Sequence, residues 1–130
     1  MIIDASVVIA ALLADGSVRR ALLHADVPLT APDYLRDETL RKAPLLARRA
    51  GVPAAVLLGA LHAFFDRIEF IPAPAYAHTM PAAQSACKAA HAAGDEDYVA
   101  LALATGDAIW SLDRDFDRVK GIRCVMRCPA

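Results

Sequence analysis

Short apolar runs alternate with longer stretches of helical periodicity along this chain. Ile2-Ile3 reads as a brief buried strand, stopped by Asp4. Ala5 to Ala14 reads as a helix that ends near Asp15-Gly16, and Ser17 is placed to cap a second helix, Val18 to His24. Val27 to Thr30 is a strand candidate. Pro32-Asp33 opens a helix through Lys42, with Asp33 as its N-cap. Pro44 is expected to kink or restart it, because an interior proline loses a hydrogen bond and clashes with the preceding turn. Gly51-Val52-Pro53 closes that region, and a longer helix is expected from about Pro53 to Arg67. Glu69-Phe70-Ile71 is a strand, stopped by Pro72 and Pro74. Helices are expected over Pro81 to Ala93, ended by Gly94, and from Asp95 or Glu96 to Thr105, ended by Gly106. Ile109-Trp110-Ser111 is a strand, and Arg123-Cys124-Val125 a last one. Short apolar strands alternating with helices argue for an α/β fold: a three-layer sandwich with a short central parallel sheet between helices. With no repeat, linker or low-complexity tract, residues 1–130 read as one domain.

Composition narrows the class. Apolar residues make up 57% of the chain, a high share, but much of the excess is alanine, which suits packed helices. The uncharged stretch Ala50 to Phe65 is interrupted by Pro53, Gly59 and His62, and it falls short of the roughly 20 apolar residues of a spanning helix. The N-terminus lacks a basic leader and meets Asp4 at once, so it reads as a poor signal peptide, and a cytoplasmic location is expected. Cys87, Cys124 and Cys128 make an odd count without zinc spacing, which favours reduced thiols. His24, His62, His78 and His91 show no paired metal spacing. His62 and His91 read as structural.

The net charge of −1 gives no global basic footprint for nucleic acid, but the charges are unevenly placed. Asp95 to Asp117 holds seven acids, whereas basic residues gather at Arg19-Arg20, Arg36, Arg41-Lys42, Arg48-Arg49 and Arg118 to Arg127. An acidic centre with basic flanks suits a metal-dependent enzyme acting on a polyanion. The plain alternative for each arginine is a solvated helix face.

Four acids fall at element ends or on an inward-turning helix face: Asp4, Glu38, Asp95 and Asp113. Asp4 and Asp113 each follow an apolar strand, and in open α/β sheets ligands bind beyond the carboxyl ends of the strands. Buried carboxylates are costly unless paired or bound to a cation. Converging acids therefore suggest one or two Mg²⁺ or Mn²⁺ ions, hard cations that take carboxylate oxygens. A two-metal site can activate water and stabilise the leaving oxygen of a phosphodiester. Ser6 and Ser111 stand beside the acids, where a hydroxyl can orient a carboxylate or a phosphate. Singly, each acid has a plainer reading: Asp95 a helix cap, Asp113 a turn residue, Glu38 a surface group.

In four segments the chain resembles the PIN-domain family, metal-dependent ribonucleases that include VapC-type toxins. Met1 to Ala11, MIIDASVVIAA, is similar to the family's opening strand and first aspartate. Ala31 to Leu40, APDYLRDETL, is similar to the second motif, whose acid falls on Glu38. Asp95 to Gly106, DEDYVALALATG, resembles the third motif. Ala108 to Phe116, AIWSLDRDF, resembles the fourth, with Asp113 and a second aspartate. Asp95 and Asp97 compete for the third position. The family's aspartate usually stands eleven residues before the helix-ending glycine and eighteen before the fourth-motif aspartate, and both counts give Asp95 here. Asp97 is then a first-turn acid or an accessory ligand, and Asp115 is accessory too. The wording from Tyr98 to Leu103 and at Trp110-Ser111 is nearest free-standing prokaryotic PIN proteins.

The resemblance implies an Mg²⁺- or Mn²⁺-dependent endoribonuclease in which Asp4, Glu38, Asp95 and Asp113 hold the metal and water is the nucleophile, leaving 5′-phosphate and 3′-hydroxyl ends. RNA is then the substrate, with Arg19, Arg20, Arg41 and Lys42 as candidates to guide it. The resemblance also brings a homodimer, and an antitoxin partner if the role is that of a toxin. The apolar run Val56-Leu57-Leu58, Leu61 and Phe64-Phe65 has more than one apolar side, which fits a core face plus a partner contact. The rival readings are a structure-specific DNA nuclease, a metal phosphatase, and a non-catalytic module that binds RNA or an antitoxin. Asp4-Ala5-Ser6 lacks the second aspartate of an aspartyl-phosphate phosphatase.

Overall fold

The computed structural model describes residues 1–13 and 16–128. In chain order the elements are β1 (Ile2–Ile3), α1 (Ala5–Leu13), α2 (Gly16–Leu23), β2 (Leu29–Pro32), α3 (Asp33–Ala50), α4 (Ala54–Phe65), β3 (Ile68–Ile71), α5 (Met80–Ala90), α6 (Glu96–Thr105), β4 (Ile109–Trp110) and β5 (Cys124–Val125). Short 3-10 turns occupy Ala73–Ala75, Ala77–Thr79 and Arg114–Arg118. The five strands are all parallel, in the order β3-β2-β1-β4-β5.

That order creates the place for a site. From β1 the chain steps outward through β2 to β3, then returns across the sheet to lay β4 on the other side of β1. Right-handed crossovers put the first helices on one face and the returning ones on the other. Accordingly α1 packs with α2, α3 and α4, while α5 packs with α6, which lies over β1 and β2. The direction of winding reverses between β1 and β4, where a crevice opens beyond the strand ends.

The strands are apolar because both faces of the sheet are covered. Ile2, Ile3 and Ile109 are fully buried, and Trp110 nearly so. Val7, Val8, Leu22, Leu35, Val99 and Leu101 close over them. A smaller cluster of Ala43, Leu46, Ala47 and Leu57 joins α3 to α4 beside α1.

The three-layer parallel fold is the one the strand–helix alternation implies, but several boundaries moved. Ala14 and Asp15, at the expected end of the first helix, lie outside the described residues. Ser17 sits inside the first turn of α2, not ahead of it. β2 starts two residues later than expected, carried on by its pairing with β3 from Leu29↔Ile68 to Pro32↔Ile71. Pro32 takes the N-cap position of α3 and Asp33 is its first helical residue. Pro44 does not restart the helix: α3 continues to Ala50 and ends where Gly51, at φ 68°, turns left-handed. Tertiary burial of Ala43, Leu46 and Ala47 on either side outweighs the lost hydrogen bond. α5 stops at Ala90, before Gly94, because His91 adopts φ 54° and returns its N–H to Lys88. Cys87, Cys124 and Cys128 are free thiols. Among the described residues, no helix is long and apolar enough to cross a membrane.

Candidate active site

Asp4 is the anchor. Ile3 pairs with Trp110 across β1 and β4, so the next residues, Asp4 and Ser111, leave the sheet side by side. Both are buried. Ser111 Oγ donates to Asp4 Oδ2 over 2.7 Å. Ser6, in the first turn of α1, donates to Asp4 Oδ1 through its hydroxyl at 2.6 Å and its backbone N–H at 3.1 Å. The two serine oxygens lie 3.3 Å apart. They also accept from the following loop: Leu112 N–H donates to Ser6 Oγ over 3.0 Å, and Asp113 N–H to Ser111 Oγ over 2.9 Å. The pair of serines thus fixes both the Asp4 carboxyl and the backbone that presents Asp113.

Burial raises the Asp4 pKa above the ordinary aspartate value. The hydrogen bonds from Ser6, Ser111 and the Val7 N–H pull the other way, and the charge of Asp113 pushes it further up. Asp95 is pushed up to about 7, first by desolvation and then by Asp113, Asp4, Asp115 and Glu96. Asp4, Asp95 and Asp113 therefore lie within each other's field, although they come from three distant segments.

Asp95 holds the N-cap position of α6, yet its side chain makes no capping hydrogen bond. Glu96 instead reaches back to the Gly94 N–H at 2.8 Å. Asp113 is exposed and caps the turn Arg114–Arg118, accepting from the Asp115 N–H at 2.9 Å. Asp115 pairs with Arg118 at 2.8 Å. Glu38, on α3, accepts from the Tyr98 hydroxyl at 3.0 Å and from Lys42 Nζ at 3.3 Å. Asp97 faces elsewhere: its Oδ2 accepts from the buried Tyr76 hydroxyl at 2.7 Å. The two acids that compete in sequence are thus separated in space, Asp95 toward Asp4 and Asp113, Asp97 toward the turn before α5.

Among the RNA-guiding candidates, Lys42 stands one turn from Glu38, and Arg41 beside it folds back on the Asp37 carbonyl at 3.4 Å. Arg19 donates to the Ala11 carbonyl at 2.8 Å, and Arg20 is exposed on the same helix. Ala11 is seven residues along α1 from Asp4, roughly 10 Å away by helical rise. Arg19 instead lines an apolar groove of about 480 Å³ between α1, α2 and α4.

The sequence reading passed over Tyr98 and Tyr76. Both are almost fully buried, and burial together with a carboxylate partner raises both phenol pKa values. They remain neutral donors. The available signal was that a buried tyrosine needs a partner for its O–H.

A divalent cation fits this donor set in kind: hard carboxylate oxygens, two of them with pKa values raised first by burial and then by neighbouring acids. Among the described residues, no group of three or more His, Cys, Asp or Glu side chains is already drawn together in metal-binding geometry.

A five-stranded parallel sheet flanked by helices, with its switch point between β1 and β4, defines a doubly wound α/β protein. The family model of the PIN domain matches residues 2–124, and the chain belongs to that family. PIN domains are typically nucleases and usually use divalent metals. No curated protein matches the chain.

Proposed function

We propose that this protein is an Mg²⁺- or Mn²⁺-dependent endoribonuclease whose metal is held by Asp4, Asp95, Asp113 and Glu38. One observation carries the reading. Asp4 is buried, bonded on both oxygens by Ser6 and Ser111, and lies in the same field as Asp95 and Asp113. Keeping like charges together in a partly desolvated crevice costs stability unless a cation offsets them. When bound, a divalent ion supplies Lewis acidity and the positive charge that a phosphodiester transition state demands.

The chain's own residues have definable parts. Ser6 and Ser111 hold Asp4 in one orientation. Asp95, whose anion is disfavoured by burial and by the acids around it, gains from a cation held beside it. Lys42 stands at the rim, where it can pair with a phosphate in place of Glu38. Hydrolysis would leave a 5′-phosphate and a 3′-hydroxyl, the family's usual products. The test is cleavage of labelled RNA and of matched DNA with Mg²⁺ or Mn²⁺. Asp4→Asn should abolish RNA cleavage with the fold intact. Undiminished activity in that variant or in EDTA would overturn the assignment.

A homodimer belongs to the same proposal. Ala55, Val56, Gly59, Ala60 and Ala63 give α4 an exposed face of small apolar residues, and light scattering at defined concentration decides whether a second copy covers it. A toxin role would add an antitoxin partner, which co-purification with the product of a neighbouring reading frame would reveal.

A further inference from the structure

We infer that Tyr98 is a positioning residue that fixes Glu38 for metal binding. The inference rests on the proposed metal site and adds to it a residue outside the four acids. Tyr98 O–H donates to Glu38 Oε2 over 3.0 Å, between positions 60 residues apart. Only 2% of Tyr98 is exposed. Its ring meets Tyr34 edge-on, with centroids 6.1 Å apart at 72°, and Phe116 at 6.4 Å and 86°.

Those contacts set the phenol at a junction. Tyr34 lies one turn before Glu38 on α3. Phe116 follows Asp113 in the turn Arg114–Arg118. Tyr98 itself stands on the first turn of α6, three residues after Asp95. One side chain therefore touches the three segments that carry Glu38, Asp95 and Asp113, and the charge of Asp4 also reaches its hydroxyl.

The other partner of Glu38 is of a different kind. Lys42 holds Oε1 from a flexible stem whose side chain is 48% exposed. An ammonium there neutralises Glu38 but cannot aim it. A rigid, buried phenol can, and a carboxylate that binds metal depends on such an outer hydrogen bond for its orientation.

Mn²⁺ titration of the full chain by calorimetry tests this, comparing wild type with Tyr98→Phe, Glu38→Gln, the double variant and Asp4→Asn. Phenylalanine keeps both ring contacts and removes only the hydroxyl. Tyr98→Phe should show an unchanged circular dichroism spectrum and roughly 10- to 100-fold weaker Mn²⁺ binding. The double variant should bind no more weakly than Glu38→Gln alone, because Tyr98 acts through Glu38. Wild-type affinity in Tyr98→Phe, or losses that add in full in the double variant, would overturn the inference while leaving the metal site standing. Wild-type affinity in Asp4→Asn would overturn the metal site itself, and the inference with it.

Discussion

Ser111 donates its hydroxyl hydrogen to Asp4 over 2.7 Å, joining residues 107 positions apart. The bond does two things at once: it orients a buried carboxyl and it pins β4 to β1 just beyond their last ladder pair. Ser111→Ala should therefore weaken both. We expect unfolding free energy to fall by about 1–2 kcal/mol in urea melts and nuclease turnover to fall roughly 10- to 100-fold. A variant that loses stability but keeps full turnover would make the bond structural only.

Asp4→Asn should separate stability from activity. The carboxyl is buried with its pKa raised, so its ionised form is strained in the metal-free protein. Removing the charge should leave the melting temperature at pH 8, in EDTA, no lower than that of wild type. Scanning calorimetry checks this. A marked drop would show that the ionised carboxylate is already compensated without metal.

Asp95 should give the metal-free protein a characteristic pH response. Its folded pKa is about 7 against an ordinary 3.8, so the folded state retains a proton that the unfolded chain gives up. The stability this contributes is complete below pH 3.8 and is lost as pH rises toward 7. The melting temperature of Asp95→Asn minus that of wild type should therefore grow across that window and level off above it. Mn²⁺ should shrink the difference at neutral pH by stabilising wild type. A flat difference would contradict the raised pKa.

Asp95 and Asp97 should respond in opposite ways. Asp95→Asn should lose cleavage. Asp97→Asn weakens only the charge-assisted bond from Tyr76, so it should cost about 1 kcal/mol of stability and keep most activity. Parallel melts and cleavage assays on the two variants decide it. Loss of activity in Asp97→Asn alone would move the site to the other face of the α6 N-terminus.

Pro44 offers a test away from the site. It lies exposed within α3 and offers the helix no N–H. Pro44→Ala should raise unfolding free energy by about 1–2 kcal/mol, the helical gain less the added freedom of the unfolded chain. A decrease would mean that the helix depends on the shape proline imposes there.

Much of this was legible in the chain, for reasons that differ by residue. β1 and β4 are short, but each is an apolar run cut off by polar residues, and that contrast alone sets Asp4, Ser111 and Asp113 at one edge. Asp95 was separable from Asp97 by spacing, and in the fold Asp97 accepts from Tyr76 while Asp95 makes no capping hydrogen bond. The boundary misjudged at Pro44 is one where burial outweighs a local preference. Pro44 is carried through α3 by Ala43, Leu46 and Ala47, and His91 accepts a left-handed backbone ahead of the glycine that seemed the natural stop. Tyr98 and Tyr76 were opaque because a tyrosine in an alanine-rich or loop setting reads as packing until its partner, 60 or 21 residues away, is known.

The sheet order also governs when the edge beyond β1 and β4 can be completed during synthesis. Everything through β3 can emerge from the ribosome and pack around β1 while Asp4 still lacks its second wall. Ser111 and Asp113 are made only after all of these strands, and β4 must then slide in beside β1, which was made long before it. A nascent chain that stops short of β4 thus leaves Asp4 without Ser111 and Asp113, and that edge is complete only once β4 has joined β1.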